Sequence, residues 1–348
     1  MTAISIAERK RRLRTFGLGL AAALLLALTL IARTAFNMGR PTQNGSIDQT
    51  YLWANSLLWN GDILYHEGVD FPATTGTAVL AVADGKVVDL HEGLANNDHS
   101  TTYGNYVLIQ HTQQHWDQSN GQGGGLSFVY TMYLHLAYGS VTPVIGSNVI
   151  AGSTIALSDS TGRYVTGQHL HFQVVVHPQA DRSLVSLEPG TRPRNPELWL
   201  SPMTSKGAAI GKITDQYGNP IQNLLVCGLS KNGQLVPIRS YSFPWANPDD
   251  LLYENFGTTD VTPGTYHLYA YEYVANSACG QTTLKRDLGN HTFTANRTTY
   301  IGLYPSWLTV LRPSSNWDVQ AYVATHTPPG STPSVSALNV TYFDGAVD

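Results

Sequence analysis

The chain has 348 residues, which at about 150 per domain leaves room for about two domains, each able to bury its own core. Twenty Lys and Arg stand against 24 Asp and Glu, a net charge of -4, so there is no basic field to hold a polyanion and nucleic acid is excluded as a partner. With 13% charged and 42% hydrophobic residues, 32 Gly, 18 Pro and 19 Tyr, the composition rules out coiled coil and extended disorder and points to an all-β globular protein.

At the N-terminus, Arg9, Lys10, Arg11, Arg12 and Arg14 precede an uncharged run over residues 15–32 that is long enough to cross a bilayer core. The basic flank places residues 1–14 in the cytoplasm and everything after Arg33 outside. This predicts a transmembrane anchor, a single-pass protein at the cell membrane and exported domains. The competing reading is a cleaved signal and a secreted chain, although Arg33 spoils the small-x-small pattern that would end at Ala35. Residues 33–47 are polar with Gly and Pro, which predicts a tether between membrane and fold.

Residues 48–202 form the first expected domain. Its apolar segments at 79–82, 86–90, 106–110, 127–135, 149–157 and 169–176 are short, rich in Val, Ile, Leu or Tyr, and separated by Gly, Asp or Asn. That pattern predicts an antiparallel sheet. From Gln110 to Phe128 the chain is rich in Gly, Gln and Asn, which predicts a long hairpin loop bordering a substrate groove. Residues 209–304 carry a second β pattern: a Gly218-Asn219-Pro220 turn between strands, then Tyr266, Leu268 and Ala270 alternating with His267, Tyr269 and Tyr271 behind a Pro263-Gly264 turn. This spacing predicts a β-sandwich domain, with Cys227 and Cys279 able to bridge outside the cytoplasm. It resembles the carboxypeptidase-regulatory or transthyretin-like sandwich family, which implies a fold and no chemistry. Residues 305–348 read as an extended C-terminal tail.

The histidines carry the chemistry. There are 12 of them against two cysteines, so a metal site here needs nitrogen and oxygen ligands. On a strand, His169 and His171 share one face while Leu170 and Phe172 enter the core behind them; alone, the pair also fits solvent-facing alternation. Next to Gly68, Val69, Phe71 and Pro72, which disfavour a helix, His66 and Asp70 fall on one face of an extended segment. Gly68 is the only residue between them there, and its missing side chain leaves room for a metal. Tyr133 and His135 share a strand face, with Leu134 and Leu136 supplying the core. His91, His99, His111, His115 and His177 fall in loops or at strand ends and read as solvated residues. No His-Glu-x-x-His helix is present.

In order, His66, Asp70, His135, His169 and His171 make the chain resemble the lysostaphin- and LytM-type zinc endopeptidases, which cut peptide bonds in bacterial peptidoglycan. The resemblance covers about residues 65–176 and includes HEGVDFPATTGTAVLAVADGKVV, YGNYVLIQH, YLHL and SDSTGRYVTGQHLHFQV. It implies that His66, Asp70 and His171 bind Zn2+ and that His135 and His169 are catalytic, one in acid–base work and the other stabilising the oxyanion, in either order. It further implies a metallopeptidase with peptidoglycan peptide as substrate. A regulator of the same fold that binds cell wall or an amidase without catalysis is the alternative. The long segment from Gln110 to Phe128 departs from the family's short hairpin. The sequence sets no oligomeric state and does not name the bond cut.

Overall fold

The computed structural model describes residues 38–301 apart from 49–52, 54–55, 60–61, 102, 118–124, 164, 166, 184–191, 216–220, 222–223, 242–253, 273–278 and 280–284, together with 342–343. The expected anchor at 15–32 and most of the expected tail at 305–348 lie outside the described residues. Among the described residues, no helix is long and apolar enough to cross a membrane.

Eleven strands build the first part of the chain: β1 Ser56–Trp59, β2 Asp62–Tyr65, β3 Val69–Pro72, β4 Ala78–Leu80, β5 Gly85–His91, β6 Tyr106–Asp117, β7 Gly125–Leu134, β8 Asn148–Val149, β9 Thr154–Leu157, β10 His169–His177 and β11 Arg192–Arg194. The main sheet runs β11-β10-β7-β6-β5-β8, and β3 lies along the same edge of β10 as β11. Its strands pair antiparallel. Period-two alternation sends Val69, Phe71, Leu170 and Phe172 into a dry core, each fully buried, with Val107, Ile109, Val129 and Tyr133. The expected strand over 149–157 is two strands, β8 and β9, broken by a turn in which the Ser153 N–H and hydroxyl both donate to Ile150 O.

Two expectations are corrected here. The segment from Gln110 to Phe128 is mostly ribbon rather than loop: β6 and β7 stay paired out to Asp117 opposite Gly125, with a register shift between Gln110 and Gln114. Only the tip at 118–124 lies outside the described residues. Ladder hydrogen bonds run along this arm. The tether predicted within 33–47 is packed over its described part. Met38 is fully buried and bridges to Leu200, the Gly39 N–H donates to Val82 O, and the Leu80 N–H donates to Pro41 O.

Beyond a short 3-10 turn at Pro196–Leu198, the chain forms β12 Gly207–Gly211, β13 Thr214–Asp215, β14 Leu224–Cys227, β15 Ser230–Lys231, β16 Gln234–Leu235, β17 Ile238–Arg239, β18 Phe256–Val261, β19 Gly264–Glu272, β20 Lys285–Phe293, β21 Thr298–Ile301 and β22 Tyr342–Phe343. Among the described residues these form a five-stranded sheet, β16-β15-β18-β12-β21, a four-stranded sheet, β17-β14-β19-β20, and the two-stranded pair β13-β22. Leu224, Val226, Leu268 and Ala270 of the four-stranded sheet meet Ala209, Phe256, Val261 and Ile301 of the five-stranded one in one buried cluster. Cys227 and Cys279 are disulfide-bonded. In the chain-entropy account, closing a loop of that length stabilises by about 4 kcal/mol.

The two β bodies are not separated by a linker. Ile210 and Tyr241 from the second complete the core of the first, and Trp53 meets Tyr241 edge to face at 6.1 Å. Between them lies a buried ion pair. Glu197 Oε2 receives Lys231 Nζ at 2.7 Å, the Thr258 hydroxyl at 2.7 Å and the Thr259 N–H at 2.9 Å, with Lys and Glu side chains both 3% exposed. Arg40 spans the same junction, donating to Asp260 Oδ1 at 2.6 Å and to Ser201 O at 2.9 Å.

Two outcomes follow for stability. Lys231→Met takes the 2.7 Å Lys231 contact from the buried Glu197 and should lower unfolding free energy by about 3–5 kcal/mol, while adding Glu197→Gln should recover part of that loss. Denaturant melts of the three variants check it. Separately, burial pushes the fully buried His111 down to about 4, although its ring also bonds to Asp84 O at 2.8 Å and to the Thr131 hydroxyl at 2.8 Å. An unfolded His titrates near 6.5. Its lowered value means that full stability holds above about pH 6.5 and is lost as pH falls towards 4, by at most roughly 3 kcal/mol. His111→Gln should flatten the stability–pH curve across that window.

Candidate metal and proton-transfer site

Strand register assembles the site. His171 on β10 lies directly opposite Asp70 on β3, and on its other side opposite Leu134, the last residue of β7. Paired residues present side chains to the same face, so Asp70 and His171 meet there. His66 enters just after β2, four residues before Asp70. Asp70 Oδ1 stands 3.0 Å from His171 Nδ1 and 3.2 Å from His66 Nε2, and the two ring nitrogens are 3.1 Å apart.

That triangle is a strong constraint. Asp70 is 8% exposed and His171 9%. Three acceptor-bearing atoms this close have too few protons between them to satisfy every pair, and a cation resolves the conflict. Tetrahedral ligands about 2.0–2.1 Å from zinc stand about 3.3 Å apart, so the triangle matches one face of such a tetrahedron. Two imidazoles and a carboxylate are also a donor set that leaves zinc a fourth position. Among the described residues, these three form the one group of His, Cys, Asp or Glu close enough to share an ion.

Charge follows the same arrangement. Burial pushes the Asp70 carboxyl up, but the adjoining His66 charge and hydrogen bonds from His171 and His66 outweigh it and hold it well below the usual carboxylate range. His171 is pushed down, chiefly by burial and partly opposed by Asp70. Gly68 makes the approach possible. A Cβ there would lie 2.5 Å from Phe172 O and 2.6 Å from His171 Nε2, so any side chain would displace the His171 ring.

His135 and His169 flank the triangle. Their ring centroids are 4.8 Å apart, and His135 lies 5.8 Å from His171. His169 Nε2 is 3.6 Å from Asp70 Oδ1. Each ring is pinned through Nδ1: His135 donates to Thr161 O at 2.7 Å and His169 to Gly167 O at 2.9 Å. A proton held on Nδ1 leaves Nε2 with its lone pair free. Burial, then the neighbouring His169 and His171, push His135 well below its ordinary value, so it stays neutral near pH 7.

The shared strand face predicted for Tyr133 and His135 is corrected. β7 ends at Leu134, and His135 has φ 64°, a left-handed backbone that re-aims its ring. Tyr133 instead points into the core, where its hydroxyl accepts from the Val82 N–H at 3.0 Å. Of the other histidines, His91 and His99 are exposed as expected, while His111 and His177 are buried at strand positions and not solvated. The His115 side chain lies outside the described residues. None of the described four joins the site.

Residues that the motif search did not single out hold His135 in place. Thr161 supplies the carbonyl for its ring and donates its hydroxyl to Leu136 O at 2.8 Å. Buried Asn105 gives its side-chain amide to Leu94 O and Leu136 O and receives the Leu136 N–H on its carbonyl. Gly104, at φ 71°, lets that turn press on Thr161: a Cβ would sit 2.3 Å from Thr161 O. The glycine of YGNYV and the STG of SDSTGR were visible signals, yet nothing in sequence says that they touch each other.

Replacing His66, Asp70 or His171 by Ala should lower bound zinc sharply, whereas His135→Ala should leave it bound. Metal analysis of the purified full chain reads this, and stoichiometric zinc in His171→Ala would remove that residue from the ligand set.

Comparison with known proteins finds similarity over the stretch that carries these residues. Residues 64–182 match the model of peptidase family M23. A protein of Haemophilus influenzae named as an uncharacterized metalloprotease is 35% identical over 133 residues, which is 38% of this chain and 23% of that one. The peptidoglycan DD-endopeptidase ShyC of Vibrio cholerae is 33% identical over 117 residues, 34% of this chain and 22% of the relative. The chain thus spans less than a quarter of these curated relatives. The catalytic domain of lysostaphin from Staphylococcus simulans is 30% identical, covering 38% of this chain and 80% of that structure with a TM-score of 0.26. Residues 64–182 are therefore a peptidase family M23 domain.

Proposed function

We propose that the protein is a zinc metalloendopeptidase that hydrolyses peptide bonds of bacterial peptidoglycan. The observation that carries this reading is the buried triangle of His66 Nε2, Asp70 Oδ1 and His171 Nδ1 beside two imidazoles whose Nε2 atoms are free. The name of the Vibrio relative, a peptidoglycan endopeptidase, supports the substrate class.

His66, Asp70 and His171 would hold the ion. Zinc at such a site supplies Lewis acidity and lowers the pKa of water to about 7. The chain's own residues manage protons and position. Neutral His135 accepts a proton at Nε2, because Thr161 O keeps the other ring proton on Nδ1. His169 is pinned the same way by Gly167 O, which likewise leaves its Nε2 able to take a proton. The ring that takes up the proton passes it on to the departing amine, and the other stabilises the developing oxyanion when it is itself protonated and donates from Nε2. With five functional positions filled, catalysis is favoured over a silent wall-binding role.

Placement in the cell belongs to the same proposal. Residues 15–32 anchor the chain in the membrane, and the two β bodies work outside it. The disulfide Cys227–Cys279 supports an oxidising, exported setting. The second body is the β-sandwich read from the sequence. With no metal-ligating group among its described residues, it orients the peptidase rather than adding a second active site.

Detergent-solubilised full chain, loaded with zinc, should release new amino termini from purified sacculi, identified by mass spectrometry of the muropeptides. His135→Ala and His169→Ala should each slow hydrolysis of a cross-linked muropeptide by about 10²–10⁴-fold. Undiminished turnover in either variant would take that residue out of the mechanism, and intact sacculi with zinc-loaded wild type would remove the peptidase reading.

A further inference from the structure

Asp159 stands outside the five functional positions, yet its main chain joins both proton-handling histidines. Its N–H donates to His135 O at 2.8 Å, and its carbonyl accepts from the His169 N–H at 3.3 Å. The residue is fully buried. Its carboxyl group is gripped from two directions: Oδ1 receives the Thr75 hydroxyl at 2.6 Å, and Oδ2 receives the Asn97 N–H at 3.2 Å. Neighbouring bonds tie the same segments together. The Ser160 hydroxyl donates to Asn97 Oδ1 at 2.7 Å, and the Thr75 N–H donates to Gln168 Oε1 at 3.1 Å, one residue before His169.

This arrangement matters because His135 holds a left-handed backbone at φ 64°. A non-glycine residue keeps such a conformation only where its surroundings fix it from several sides. Three groups do so: Thr161 O holds the ring, Asn105 O holds the following Leu136 N–H, and Asp159 N–H holds the His135 carbonyl. Only the third of these also reaches His169. The Asp159 main chain is thus a direct hydrogen-bonded bridge between the backbones of the two histidines, and its own position depends on a side chain clamped by two loops.

We propose that Asp159 is a positioning residue: its carboxyl group, held by Thr75 and Asn97, fixes the main-chain bridge that sets the His135 and His169 rings relative to each other. The proposal rests on the peptidase reading above. A displacement of about 1 Å at reacting groups costs up to about 100-fold in rate. The loss therefore falls on kcat, since Asp159 is neither a metal ligand nor a substrate contact.

The test uses zinc-loaded full chain carrying Asp159→Ala, Asp159→Asn or Thr75→Val, with kcat and KM on a cross-linked muropeptide and long-range proton–nitrogen spectra of the imidazoles. Asp159→Ala should lower kcat about 10–100-fold with KM within about twofold and zinc content unchanged. At least one of His135 and His169 should lose its single Nδ1–H tautomer. Asp159→Asn, which retains acceptor oxygen, should restore most of the rate. Thr75→Val removes a donor from an exposed position, leaves the fold intact and should fall between. The proposal is overturned if Asp159→Ala keeps kcat within twofold, if kcat falls while both tautomers stay as in wild type, or, should Asp159→Ala not fold, if Thr75→Val changes neither kcat nor spectra. If the wild type cleaves no wall peptide, the peptidase reading fails, and the imidazole spectra alone still decide the role of Asp159.

Discussion

Everything in the first body answers to one demand, the burial of three electron-donating atoms within about a hydrogen bond's length of one another. The protons on His66 Nε2 and His171 Nδ1 can serve Asp70 Oδ1 but cannot also bridge the two nitrogens, and a cation among the three satisfies every pair. The fold keeps them there by placing two of the three on paired strands. The sheet register fixes Asp70 against His171, and a dry layer of Phe71, Leu170 and Phe172 behind them stops either strand from sliding. A one-residue slip would turn both Asp70 and His171 into the core, so the apolar face of β3 and β10 protects the polar one.

Much of this was legible because strands have a simple period. His169 with His171, and His66 with Asp70 across Gly68, needed only alternation to be placed on common faces. The role of Gly68 was also readable, as space, although what fills the space is the His171 ring from a strand about 100 residues later. His135 broke the same logic. Alternation put it beside Tyr133, but the strand stops one residue earlier and the backbone reverses its hand, so the two side chains part. The reversal is decided by Thr161, Asn105 and Asp159, three residues that meet only after folding. Local pattern carries periodic structure; it does not carry the tertiary bonds that terminate a period.

Composition misled where backbone pairing or a neighbouring body did the stabilising. The Gln- and Gly-rich stretch after Gln110 has little to bury, yet β6 and β7 hold each other as a ribbon. Residues 38–47 look like a tether, but Met38, Pro41 and Thr42 are buried against elements that adjacent sequence gave no reason to expect. A buried Lys and Glu likewise carry no signal of their own. Lys231 and Glu197 pair in sequence with nothing, and only the docking of the second body brings them together.

That docking bears on the protein as a heritable and transferable unit. A peptidase cut out at residues 48–202 would lose Met38 and Arg40 on one side, Ile210 and Tyr241 on the other, and the Lys231 partner of Glu197. The strands that carry the site would remain, but with an open seam of apolar surface and a severed ion pair. The domain is therefore not a cassette that recombination could splice in front of a new partner at those boundaries. Any rearrangement that succeeded would have to bring the 38–47 strap and the β18 face along with it, or rebuild the seam.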